Sequence, residues 1–181
     1  MERALRFLVV EFPSEDFVMT RFTRAHPLCT VDLVSERGVA WRGERIHPAL
    51  FLAKGVAWRE FRDLLEELAR VHEPATILRR DPAGLAWLCR VSFHESHLGP
   101  EGHALAQFQE RFGPPWLHVE QGVLHLRARL GETMDAEALV GQLTSFLEAT
   151  GVQAQVEVQE LGPTDYGVWE ELLQASAGLT F

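Results

Sequence analysis

A chain of 181 residues, 46% of them apolar, can bury a core large enough for one compact domain or two small ones. Its formal charge of −9 excludes a protein whose whole surface binds nucleic acid, since phosphate binding rests on clustered Lys and Arg, and its two cysteines exclude a disulfide framework or a thiolate zinc site. The longest apolar runs, such as Phe7 to Val10 and Ala49 to Ala53, fall far short of the roughly 20 residues that cross a bilayer, and no cleavable leader precedes them, so the expected location is the cytoplasm.

RALRFLVVEF (3–12) is an apolar run of strand length. PSEDFVMTRFTRAH (13–26) opens on a Pro-Ser start signal and spaces Phe17, Met19 and Phe22 as a helix does. CTVDLVSE (29–36) alternates as a strand. A polar, glycine-punctuated stretch, RGVAWRGERIH (37–47), then leads into PALFLAK (48–54), short enough for a buried strand. AWREFRDLLEELARVHE (57–73) is the strongest helix, with Trp58, Phe61, Leu65, Leu68 and His72 on one stripe. ATILRR (75–80) closes a βαββαβ unit.

After the turn Asp81-Pro82-Ala83-Gly84 the order repeats. Strand LAWLCRVSF (85–93), helix PEGHALAQFQERFG (100–113), strands WLHVE (116–120) and VLHLRARL (123–130), helix DAEALVGQLTSFLEATG (135–151) and strand VQAQVEVQEL (152–161) follow in turn. A period of about eighty residues reads as an internal duplication. The expected fold class is therefore α+β, with tandem ferredoxin-like units over 1–81 and 82–161, each an antiparallel sheet with two helices on one face. A tail, 162–181, carries a short helix around Trp169 to Ala175. Cys29 and Cys89 lie in apolar strands and read as reduced core thiols.

The second face of each sheet is treated differently in the two halves. Val152, Ala154, Val156 and Val158 alternate with polar residues, as do Leu124, Leu126, Ala128 and Leu130 with His125, Arg127 and Arg129, so one face there is polar. RFLVVEF and LFLA are apolar on both sides. Their second face needs a cover: the other repeat, a second subunit in a homodimer, or an apolar ligand.

The loop Gln121-Gly122 fixes the register of its hairpin, setting Glu120 against Val123, His118 against His125 and Trp116 against Arg127. Arg90 and Arg129 are expected on the same polar face, beside Glu157. Arg90, Trp116, His118, His125, Arg127 and Arg129 are thus the candidate ligand-binding residues, suited to a small anion, and the same pattern also fits a solvated face or an interface with the other repeat.

HESHLGPEGH (94–103) holds the candidate metal ligands His94, His97 and His103, with Glu95 as a further donor. The bend Gly99-Pro100-Glu101 and the absence of a cysteine or HExxH pair weigh toward a polar connection that ends a strand and caps a helix. No phosphate-binding loop, GxSxG elbow or RNA-stacking aromatic pattern is present, and no catalytic residue is assigned.

The strings VVEFPSEDFVMTRFTRAHPLCTVDLVSE, LFLAKGVAWREFRDLLEELARVHEPATILRRD, LAWLCRVSF and GQLTSFLEATGVQAQVEVQEL together resemble the N-terminal regulatory region of bacterio-opsin activator-type transcriptional regulators, over roughly residues 5 to 161. The resemblance implies a module that senses or transmits a signal ahead of a helix-turn-helix domain, and it supplies no catalytic residues. Where that domain is expected to begin the sequence has PTDYGVWEELLQASAGLTF, whose single helix cannot set a recognition helix in the major groove, so the expectation is either a stretch of a longer regulator or a free-standing relative with no DNA-binding part.

The first expectation is a non-enzymatic regulatory module that needs no cofactor, binds a small ligand or protein partner, and makes no sequence-specific contact with DNA or membrane. The second is an enzyme or cofactor carrier of the dimeric α/β-barrel type. In it His118, His125 or His103 ligates haem or a metal, and Arg127 or Arg90 polarises a bound oxygen species. The third is a structural assembly subunit using the apolar second face.

Overall fold

The computed structural model describes residues 3–12, 17–36, 38–98, 108–110 and 115–177. Among them are nine strands: β1 (Leu5–Phe12), β2 (Thr30–Ser35), β3 (Val39–Trp41), β4 (Glu44–Lys54), β5 (Thr76–Arg80), β6 (Ala86–His94), β7 (Trp116–Glu120), β8 (Val123–Arg129) and β9 (Gln155–Leu161). The helices are α1 (Val18–Ala25), α2 (Trp58–Val71), α3 (Ala136–Ala149) and α4 (Pro163–Ala177), with a 3-10 turn at Glu95–His97. Residues 108–110 are helical, while the rest of the helix expected over 100–113 and the Pro-Ser start at 13–14 lie outside the described residues.

All strands join one antiparallel sheet in the order β5-β6-β4-β2-β7-β8-β1-β9, with β3 hairpinned onto β4. This order departs from two self-contained units in sequence. β1 lies between β8 and β9, and β6 lies between β4 and β5, so the opening strands of the two expected halves have changed places. β1 and β6 are both buried central strands, and their apolar patterns suit either slot. Periodicity locates a strand but does not name its neighbours.

Two hairpin loops carry the left-handed backbone that a two-residue turn requires. Gln121 and Gly122 have φ of 48° and 79°, and Arg42 and Gly43 have 48° and 84°. The first produces the expected register, with Trp116 opposite Arg127 and His118 opposite His125. The second makes a β3–β4 hairpin from a stretch whose polar sequence reads as a connection.

The main core lies between the sheet and α1, α2 and α3. Leu8, Val10, Phe12, Val31, Leu33, Phe51, Trp87, Val91, Leu124 and Leu126 meet Met19, Phe22, Phe61, Leu64, Leu68, Leu143 and Leu147 there. Helix α2 buries Phe61 and Leu68 as its stripe requires, but Trp58 at its first turn stays 46% exposed. Asp135 caps α3 by accepting from the Ala138 N–H at 3.2 Å. Cys29 and Cys89 are free and buried, and burial pushes their thiols up to about 11 and about 12, out of reach of thiolate chemistry at neutral pH.

A second core fills the opposite face. Phe7, Val9, Val34, Leu50, Leu52, Leu88 and Trp116 pack under Tyr166, Trp169 and Leu172 of α4. The cover that the two-sided strands need is thus the chain's own last helix, which spans Pro163–Ala177 and is longer than the expected Trp169–Ala175. No helix among the described residues is long and apolar enough to cross a membrane.

Candidate functional site

Helix α4 covers only part of the second face. Register places two cross-sheet rows on this face, their apolar members under the helix. One runs Arg90, Leu50, Val34, Trp116, Arg127, Val9, Glu157, and the next runs Leu88, Leu52, Asp32, His118, His125, Glu11, Gln155. Over β2, β7, β8 and β1 the second row is entirely ionisable: Asp32, His118, His125, Glu11. This polar window adjoins the apolar patch under α4.

Asp32 is its anchor. The side chain is buried, and its Oδ1 accepts from the Trp116 indole N–H at 2.8 Å and pairs with His118 Nδ1 at 2.7 Å. The other ring nitrogen of His118, Nε2, lies 3.5 Å from Glu120. The His118 and His125 rings lie 5.8 Å apart, and His125 Nδ1 is 3.4 Å from Glu11. Burial holds the His125 imidazole below its ordinary value, against the opposing pull of Glu11, so it favours the neutral form.

Arg127 sits one row away, with its guanidinium carbon 4.3 Å from the Trp116 ring centroid. Its Nε is buried and has no hydrogen-bond partner among the described residues. Burial draws the guanidinium below its usual value, while the fields of Asp32, Glu120, Asp165 and Glu11 act the other way. Trp116 in turn stacks on Trp169 of α4 at 6.3 Å and meets Phe7 edge-on at 5.7 Å. One indole therefore touches the buried carboxylate, the guanidinium and the covering helix.

Of the residues expected from sequence, Trp116, His118, His125 and Arg127 come together. Arg90 shares their face and row but lies three strands from Trp116, about 14 Å at the usual strand spacing. Arg129 follows Arg127 on β8, opposite Phe7, and is exposed. Asp32 and Glu11 were not anticipated. Their signal is a charged residue in the middle of an apolar strand, in CTVDLVSE and RFLVVEF, which needs a partner when it is buried.

The histidine-rich segment contributes to a second cluster, at the end of β6. His94 ends β6, and His97 lies on the 3-10 turn. His72 at the end of α2 joins them, and the three rings lie 6.2 Å apart pairwise. The nitrogens of His94 are engaged by carboxylates, Nδ1 by Glu44 and Nε2 by Glu73 at 3.3 Å. His72 Nδ1 accepts the backbone N–H of His94 at 3.0 Å, which in the neutral ring leaves the proton on Nε2. Among the described residues no group of three or more His, Cys, Asp or Glu is arranged to hold a metal ion. His103 and the bend at 99–101 lie outside the described residues. Within HESHLGPEGH, His94 is the last residue of β6 and Glu95–His97 form the 3-10 turn that follows it.

A cleft of about 670 Å³ opens along Glu11, Val123 and Gln155 at the end of the polar row, with Glu148 and Val152 on its far side. Its size is that of a small-molecule site, about 300–1,000 Å³. No family model matches the chain, and no curated protein matches it.

Proposed function

We propose that the chain is a non-enzymatic regulatory module that takes a small carboxylate-bearing ligand at the polar window and passes its occupancy to α4. The observation that carries this is Arg127. A half-buried guanidinium that lies over Trp116 on the same sheet face as the His118–His125 pair is a cation that can receive a ligand carboxylate. Ligand contact at Arg127 acts on Trp116, and Trp116 bears directly on Trp169, so binding shifts the balance between docked and loosened states of α4.

The fold supports the same reading. The orders β5-β6-β4-β2 and β9-β1-β8-β7 each have ferredoxin-like strand arrangement, and we read them as a duplicated pair that has exchanged its first strands. The resemblance to the regulatory region of bacterio-opsin activator-type regulators agrees with a module of this kind. The test is a titration of tryptophan emission with propionate and with 4-methylpentanoate, in the original chain and in Arg127→Met. A saturable change that Arg127→Met abolishes supports the proposal. A change of equal size in both proteins overturns it.

A further inference from the structure

We infer that the chain holds a second ligand site, for a planar aromatic carboxylate, on the sheet face opposite α4, between the first turn of α2 and the edge strand β5. A cavity of about 540 Å³ lies there, lined by Trp58, Ile77, Arg80, Gly84 and Trp87. Its size is that of a small-molecule site. Its walls are aromatic. Trp87 on β6 is buried, its indole N–H donates to the Val56 carbonyl at 2.9 Å, and its ring stacks on Phe61 at 5.2 Å. Trp58 lies 5.4 Å from Trp87 with the two ring planes at 49°, and it is the exposed member of the pair. With its N–H satisfied by the backbone, Trp87 offers a ligand ring surface rather than a donor.

The charge comes from a bulge in β5. Ile77 pairs with Cys89, Leu78 is an extra residue, and Arg79 and Arg80 then pair with Leu88 and Trp87. An unbroken ladder would set Arg80 against Ala86, on the other face. The bulge re-aims Arg80 to the side of Trp87, about 5 Å away between Cβ atoms, and onto the same face as Ile77. Arg79, turned the other way, pairs with Glu171 of α4 at 2.6 Å. The adjoining Asp81 carboxylate accepts the Ala83 N–H at 3.2 Å. Arg80 itself has no ion pair or hydrogen bond among the described residues. A cation beside two indoles, without a carboxylate of its own, selects an acid, and the ring surfaces select a flat aromatic body for it.

This site shares no residue with the window at Arg127, so the two assignments are tested separately. The test is calorimetric titration of the whole chain with 2-naphthoate and two analogues. One, 2-naphthalenemethanol, keeps the rings without the charge; the other, decahydronaphthalene-2-carboxylate, keeps the charge without the aromaticity. 2-Naphthoate should bind at least about tenfold tighter than either. Arg80→Met should remove its advantage over the alcohol, Trp58→Ala should remove its advantage over the saturated acid, and Arg127→Met should leave its affinity unchanged. Trp58 and Arg80 are both exposed, and matched thermal melts establish that their variants are folded. Either analogue binding as tightly as 2-naphthoate overturns the inference, as does the lack of saturable 2-naphthoate binding. Binding lost in Arg127→Met and retained in Arg80→Met overturns this site and leaves the reading of Arg127 standing.

Discussion

Trp116 donates its indole N–H to Asp32 while the guanidinium of Arg127 sits over its ring, and the two partners reach it from opposite neighbouring strands. This arrangement joins a buried carboxylate, a half-buried cation and the covering helix through one side chain. Its parts are separable by substitution.

Asp32→Ala strands two donors, the buried Trp116 N–H and the part-buried His118 Nδ1–H. Each costs about 1–3 kcal/mol when left unpaired, so a loss of about 2–6 kcal/mol is expected from urea unfolding. Asp32→Asn keeps one acceptor and should lose less. Equal losses for the two variants would show that the carboxylate does not anchor these donors.

Trp169→Ala removes the ring that stacks on Trp116 and meets Phe7 edge-on at 5.4 Å. The expected cost is about 3–5 kcal/mol, as for other large-to-small changes in a packed core. Binding of a hydrophobic dye should rise as the second face opens. A variant with unaltered stability and no added dye binding would mean that α4 is not the cover of that face.

The exchange of β1 and β6 ties the two ends of the chain together, because neither half can lose its sheet without the other. Urea unfolding followed by far-UV circular dichroism and by tryptophan emission should therefore coincide in one transition. Leu8→Ala, in β1, should lower that single midpoint by the equivalent of about 2–5 kcal/mol. Two resolved transitions would contradict the exchanged pairing.

His72 gives a pH dependence of defined sign. Burial, then the nearby His94 and His97, hold its imidazole down at about 4, against the ordinary 6.5. The unfolded chain takes up the proton first, so the stabilisation is complete above pH 6.5 and is lost as the pH falls toward about 4. The slope from this group is at most about 1.4 kcal/mol per pH unit. Protonation also ends the bond from the His94 N–H to Nδ1. His72→Gln should flatten the stability profile over that range, and an unchanged profile would remove His72 from the cause.

Much of this architecture can be read from periodicity and turn chemistry. The Gln121-Gly122 loop yields the hairpin register, and with it the facing of His118 and His125, because a two-residue turn allows little choice of pairing. The exchange of β1 and β6 is not legible in the same way. Two central strands of similar apolar pattern are interchangeable until long-range packing selects their neighbours. The β3–β4 hairpin hides in a polar stretch because Val39 and Trp41 stay exposed and leave no buried alternation. At the window, the register brings Trp116 and Arg127 together, but Asp32 comes from a strand far off in sequence, 84 residues from Trp116. Local spacing carries no trace of that contact.

The most direct measurement of the central claim needs no ligand: urea unfolding of Arg127→Met beside the original chain. A guanidinium whose buried Nε lacks a partner contributes little to the fold and incurs the cost of an unpaired polar group, while methionine keeps the apolar packing over Trp116. Arg127→Met should be as stable as the original chain or more stable by up to about 2 kcal/mol. A loss of more than about 1 kcal/mol would mean that Arg127 is a structural partner within the fold, and the assignment of the window as a ligand site would fall with it.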